Sequence, residues 1–135
     1  MTDIELAKEI AHRAHAGQTR RNGEPYINHV ARVVLQLETN GADDETVAAG
    51  WLHDVVEDCG EDYGILLELF PKETAIAVFR LTRYTGFPYN LYIEEIKKNP
   101  ISTQVKLADL TDNLRDNDNP SQIERYTKAI LTLTT

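Results

Sequence analysis

The sequence predicts an all-α bundle, and three observations carry that prediction. Every periodic apolar signal in the chain repeats at helical spacing, never at the alternating spacing of a strand. Glycine and proline punctuate those signals where helices would stop and start. The third observation is the stretch at residues 47–58, VAAGWLHDVVED. At 100° per residue, Ala48, Trp51, Leu52, Val55 and Val56 fill one broad arc of a helix, wide enough to run through a core. His53, Asp54, Glu57 and Asp58 fall on the complementary arc. Each would be costly to desolvate unless paired or coordinated, so the shared stripe predicts an internal polar site. Gly50, one turn earlier, weakens a helix by about 1 kcal/mol relative to alanine, which a close approach by another backbone or a ligand would explain.

The remaining elements follow in order. Residues 2–16 carry Ile4, Ala7, Ile10, Ala11 and Ala14 on one stripe, with Gly17 as the stop. His12 and His15 lie on or beside it and read as surface or packed residues. GQTRRNGEPYINH comes next, polar and twice interrupted by glycine. Its adjacent Arg20 and Arg21 read either as a solvated loop or, because guanidinium pairs bidentately with phosphate, as an anion grip. Pro25 suits a first helical turn, and Ile27, Val30, Ala31, Val34, Leu35 and Leu37 predict a buried helix to about residue 40, closed by Gly41. His29 falls among those apolar positions. Asp43 or Asp44 is the expected N-cap of the central helix. Short helices are predicted over residues 63–70 and 72–82, the second with Ala75, Val78 and Phe79 inward. Pro88 opens another helix, where Tyr84, Tyr89 and Tyr92 read as core-margin residues or as stacking partners for a base. Pro100 opens ISTQVKLADLTDNLR, on which Lys106, Asp109 and Asn113 share one stripe. A closing helix carries Ile123, Tyr126, Ile130 and Leu133.

Composition narrows the function classes. A chain of 135 residues is the size of one ordinary domain, read here as residues 1–135. A net charge of -8 argues against a nucleic-acid backbone as partner and requires any anionic substrate to find local positive charge. The single cysteine, Cys59, excludes an internal disulfide framework, and nearby carboxylates argue against a reactive thiolate. No apolar run suits a membrane span or a signal peptide, so a cytoplasmic protein is expected.

Read together, His29, the adjacent pair His53 and Asp54, and Asp109 form a mixed nitrogen and oxygen donor set on three separate helices. Such a set suits Mn²⁺, Fe²⁺ or Zn²⁺. A His-Asp pair on a buried helix with an upstream histidine and a downstream aspartate resembles the HD-domain superfamily of metal-dependent phosphohydrolases. GQTRRNGEPYINH, WLHDVVED and VKLADLTDNLR resemble, in order, the three signature segments of the hydrolase domain in RelA/SpoT-type enzymes and their small stand-alone relatives. The resemblance implies an all-helical HD-domain bundle that removes the 3′-pyrophosphate of guanosine tetra- or pentaphosphate with Mn²⁺. By position it implies His29, His53, Asp54 and Asp109 as metal ligands and Glu57 and Asp58 as the pair that orients and deprotonates the attacking water. It further implies Arg20, Arg21 and Asn113 at the substrate; Lys106, partly neutralised by Asp109, is a further local cation expected there on charge grounds.

Two positions depart from the family pattern. Leu110 stands where the large enzymes often have a basic residue, and Asp112 where they often have histidine or tyrosine; both are expected near the nucleotide pocket. No synthetase domain is present in the sequence. Two alternatives stand beside the leading reading: a phosphohydrolase acting on another nucleotide or phosphoester, and a metal-bearing module that binds a nucleotide without turnover. Retention of Glu57 and Asp58 argues against the second, because binding alone needs no water-activating pair.

Overall fold

A computed structural model describes residues 1–135 as nine helices and no strand. In order they are α1 (Asp3–Ala14), α2 (Tyr26–Thr39), α3 (Asp44–Leu52), α4 (Val55–Cys59), α5 (Tyr63–Leu69), α6 (Lys72–Leu81), α7 (Tyr89–Lys97), α8 (Pro100–Leu114) and α9 (Pro120–Thr134). The all-α expectation holds, and most helix ends fall where the punctuation placed them. Asp43 caps α3 by accepting from the Thr46 N–H, a contact worth about 1 kcal/mol, and Asn99 caps α8 by accepting from Ser102. Gly17 and Gly41 take positive φ just beyond α1 and α2, the conformation that ends a helix at least cost.

Helix α3 is the axis of the fold. All seven residues from Thr46 to Leu52 are buried, because α1, α2, α6 and α8 surround it. Gly50 is where α2 comes closest: a Cβ there would meet Leu37 Cδ1 at 2.6 Å and Val34 Cγ2 at 3.4 Å. The close approach expected at this glycine is thus made by side chains of α2.

The structure corrects the continuous helix expected over residues 47–58. The helix stops after Leu52 and restarts at Val55, with Asp54 at φ −111°, ψ 0° between them. The His53 ring donates its Nδ1–H to the Gly50 carbonyl at 2.7 Å, the acceptor a continuing helix would offer to the Asp54 N–H. Three inward residues are also misplaced by periodicity. Leu35 is 62% exposed while its neighbour Val33 is fully buried, and Phe79 is 42% exposed, stacked on Tyr63. Ile123, on the rim of α9, is similarly half out of the core.

The polar stretch between α1 and α2 is a folded turn. Thr19 and Pro25 form an isolated antiparallel bridge, and the Arg20 N–H donates to the Glu24 carbonyl at 2.8 Å. Gly23, at φ 84°, makes the reversal. The two arginines are therefore carried on a defined hairpin at the mouth of the site.

Candidate metal and substrate site

Helices α2 and α8 and the break between α3 and α4 bring four donors to one point. Ligand atoms of His29, His53, Asp54 and Asp109 all lie within 4.8 Å of one another. Residues 53 and 54 would diverge by 100° on an unbroken helix. The break removes that divergence, so His53 Nε2 stands 3.0 Å from Asp54 Oδ2 and 3.4 Å from Asp109 Oδ1.

The hydrogen-bond pattern decides what belongs between these atoms. A carbonyl oxygen only accepts, so the His53 Nδ1 that meets Gly50 carries the proton, and in the neutral ring Nε2 presents a lone pair. That Nε2 is buried and makes no aligned hydrogen bond, although two carboxylate oxygens face it. His29 repeats the arrangement: Nδ1 meets Asp112 Oδ2 at 2.6 Å, and Nε2 faces Asp109 Oδ1 at 2.9 Å. Two imidazole lone pairs and two carboxylates aimed at a common point repel one another unless a proton or a metal cation sits among them. The donor set fits a divalent metal with nitrogen and oxygen ligands.

The remaining contacts hold the donors in place. The Tyr26 hydroxyl donates to Asp54 Oδ2, and Lys106 Nζ donates to Asp109 Oδ2 at 3.0 Å. Asn113 Nδ2 reaches Asp109 Oδ1 at 3.4 Å. Lys106 and Asn113 thus stand at Asp109, and Asn113 Oδ1 also accepts from Arg20 at 2.8 Å. Glu57 and Asp58, on α4, form with Asp54 a second group of carboxylates within 4.8 Å. Glu57 Oε1 accepts from the Arg83 N–H, and Asp58 Oδ2 from Gln18 Nε2 at 3.4 Å. Desolvation raises the Glu57 pKa, the Arg83 N–H opposes the rise, and the charges of Asp54 and Asp58 add to it. Asp58 is raised likewise by desolvation and then by Asp54.

Two contiguous clefts serve the site. The inner one, about 200 Å³, is lined by Asp54, Glu57, Asp58, Lys106 and Asp109 together with Arg83 and Arg125. The outer one, about 540 Å³, is lined by Arg20, Arg21, Arg32 and Arg115. Tyr26, Asn113 and Tyr126 line both and join them. A cluster of guanidiniums therefore stands next to a cluster of carboxylates.

Several of these residues escaped the sequence reading. Tyr26 precedes His29 by three positions and shares its helix face, a signal that could have found it. Arg83 and Arg125 flank the Tyr89 ring at 5.4 and 3.7 Å, and nothing in the sequence links them. Tyr92 is buried with its hydroxyl on the Leu81 carbonyl, a core-margin role, whereas Tyr84 is 58% exposed and lines neither cleft. Leu110 corrects the expectation of a pocket residue: it is fully buried in the core. His15 packs on Tyr26 and meets Gln18 Oε1 at 2.7 Å, while His12 lies against Trp51; neither joins the donor group. The Cys59 thiol is pushed up to about 11 by burial and then by Asp58, which keeps it protonated.

Titration of the metal-free site gives a testable signature. Burial works to lower His29 and His53 below 6.5, but the facing carboxylates outweigh it and both end raised. Burial works to raise Asp54 and Asp109 above 3.8, but His53 on Asp54, and Lys106 with both histidines on Asp109, end by lowering them. A raised histidine stabilises the fold fully below its unfolded pKa and loses that stabilisation as pH climbs through the folded value; a lowered carboxylate loses its contribution as pH falls. The chelator-treated protein should therefore melt highest between about pH 4 and 6.5 and lower above that window. A saturating divalent metal should reverse the alkaline decline, because protons no longer compete for the donors. Melting curves across pH with chelator and with metal check this, and a metal-free melting temperature that climbs steadily to pH 9 would refute it.

Comparison with known proteins agrees with this geometry. An HD domain model matches residues 7–133. A Synechocystis protein described as a probable guanosine-3′,5′-bis(diphosphate) 3′-pyrophosphohydrolase is 36% identical over 137 residues, covering 90% of this chain and 18% of that protein. The Aquifex aeolicus guanosine-3′,5′-bis(diphosphate) 3′-pyrophosphohydrolase is 34% identical over 121 residues, covering 84% and 17%. The chain thus spans less than a fifth of the length of these relatives. A solved structure of a metazoan ortholog of SpoT, described as hydrolysing ppGpp, superposes with a TM-score of 0.82 at 26% identity, covering 98% of this chain and 84% of that one. No helix here is long and apolar enough to cross a membrane. With the family model spanning nearly the whole sequence and the His-Asp donors converging at the α3–α4 break, this chain belongs to the HD-domain family.

Proposed function

We propose that this chain is a metal-dependent phosphohydrolase that removes the 3′-pyrophosphate of guanosine tetra- or pentaphosphate, with Mn²⁺ as the metal. The observation that carries the reading is the four-donor convergence of His29, His53, Asp54 and Asp109 beside Glu57 and Asp58, with arginines lining the adjoining cleft. The solved relative described as hydrolysing ppGpp supports the substrate, since its likeness runs through 98% of this chain.

In the reaction, water attacks the phosphorus nearest the ribose, the bond from that phosphorus to the 3′ oxygen breaks, and pyrophosphate leaves while the 3′ oxygen takes up a proton. A divalent metal in this donor set polarises the phosphoryl oxygens and lowers the pKa of water. Glu57 and Asp58 orient the attacking water and receive its proton. Arg20 and Arg21 bind the phosphates in the outer cleft, supplying the local positive charge that a chain of net charge -8 needs. Lys106 and Asn113 act at the inner end through their contacts with Asp109.

Turnover on a panel of nucleotides with Mn²⁺ tests the proposal: guanosine tetraphosphate should yield GDP and pyrophosphate faster than other phosphoesters are cleaved. Arg21 gives the cleaner mutational probe. It is exposed and forms no ion pair, whereas Arg20 is tied to Asp112 at 3.3 Å and to Asn113. Losing a charged hydrogen bond to phosphate costs roughly 1.5–3 kcal/mol. Arg21→Ala should therefore keep metal and melting temperature while kcat/KM on guanosine tetraphosphate drops about 10- to 100-fold, and cleavage of a simple aryl phosphodiester should change less. Equal losses on both substrates, or none on either, would favour an HD phosphohydrolase of another substrate class.

A further inference from the structure

We propose that Asp112 is a positioning residue for the metal site: its carboxylate takes the His29 Nδ1–H and so fixes the ring with Nε2 toward the other donors. The inference rests on the reading of His29 as a metal ligand.

Asp112 sits one turn beyond Asp109 on α8, at a position where the sequence departs from the RelA/SpoT pattern. The departure is expected near the nucleotide pocket, and Asp112 does line the outer cleft. In the structure the Asp112 side chain is 6% exposed, and its Oδ2 lies 2.6 Å from His29 Nδ1, on the side of the ring away from the donor cluster. The carboxylate is not among the four converging donors. It reaches the donor group through His29, while its Oδ2 also accepts from Arg20 at 3.3 Å on the side of the outer cleft.

What holds the carboxylate is as specific as what it holds. Arg32 Nε donates to Asp112 Oδ1 at 2.7 Å and Arg32 Nη2 to Oδ2 at 3.1 Å, a two-point grip. Arg32 is itself gripped by Glu24, at 3.0 Å and 2.8 Å. His29 and Arg32 lie three residues apart on α2, so one face of that helix presents both the ring and the cation that anchors its partner. With the guanidinium fixed, the carboxylate stays ionised and its oxygen can only accept. The proton on Nδ1 is therefore specified, and with it the lone pair on Nε2. A carboxylate that orients a ligating histidine in this way typically accounts for 10- to 100-fold in metal affinity.

The test measures Mn²⁺ affinity by titration calorimetry on the full chain, without reference to turnover. Asp112→Asn, nearly the same shape, should weaken Mn²⁺ binding 10- to 100-fold, and Asp112→Glu should recover part of the loss. Arg32→Gln removes the anchor but leaves Asp112 on the ring, and should weaken binding less. Unchanged affinity in Asp112→Asn would overturn the inference. So would an equal loss in Arg32→Gln, which would reduce Asp112 to one end of an ion pair. His29→Ala measured alongside separates the two levels. If it keeps Mn²⁺, the ligand reading of His29 has failed; if it loses Mn²⁺ while Asp112→Asn does not, only the positioning role has.

Discussion

His53→Ala should purify almost free of divalent metal and should show no metal-dependent rise in melting temperature. His53 is the centre of the donor group, 2% exposed, with Nε2 facing carboxylates of both Asp54 and Asp109. Removing the ring leaves His29 Nε2 with the buried Asp109 and the partly exposed Asp54 carboxylates, and the pocket gains space for water that competes for the metal. Losing an outer partner of a ligand costs 10- to 100-fold in affinity, so loss of a ligand here should exceed about 100-fold. Hydrolysis should fall with metal occupancy. Elemental analysis and melting curves with and without Mn²⁺ give the answer. Metal content equal to that of the unaltered protein would remove the basis of the site, because His29 is the one other histidine in the converging donor group with Asp54 and Asp109.

How much of this was legible beforehand depends on range. The helices were readable because Gly17, Gly41, Pro88 and Pro100 act within a turn of their own position. The converging donor group was readable because its residue types are rare on buried faces, and the three resembling segments supplied their order. The break at His53–Asp54 was not readable: a side chain takes the Gly50 carbonyl, and periodicity counts only where residues point along an unbroken helix. Phe79 turned outward for a similar reason, since its partner Tyr63 belongs to another helix. Asp112 was visible as a departure but not as a partner of His29, because the two are 83 positions apart and meet only through the packing of α2 on α8. The outcome for Leu110 shows the converse, since a substitution in the signature segment lies wholly in the core.

The break also shapes the second large effect, the loss expected in Glu57→Gln. Restarting the helix at Val55 sets Glu57 and Asp58 beside Asp54 on the inner cleft, outside the group that includes both histidines. Glutamine has nearly the same shape as glutamate, and its carbonyl can still accept the Arg83 N–H, so the loop after α6 should keep its anchor. What disappears is the ability to take a proton. The raised pKa of Glu57, from desolvation against the pull of the Arg83 N–H and with help from Asp54 and Asp58, makes its carboxylate a stronger base than an exposed one. General-base assistance contributes typically 10²–10⁴-fold, so kcat should fall by about 10²-fold or more while Mn²⁺ content stays within about 2-fold of the unaltered protein. The base acts only when ionised, so activity should rise with pH through the Glu57 titration, and that acidic limb should vanish in the variant. Asp58→Asn measured in parallel assigns the proton within the pair. A Glu57→Gln enzyme that retains full kcat and the same acidic limb would show that the proton leaves the water by another route, with Asp58 the next carboxylate to examine.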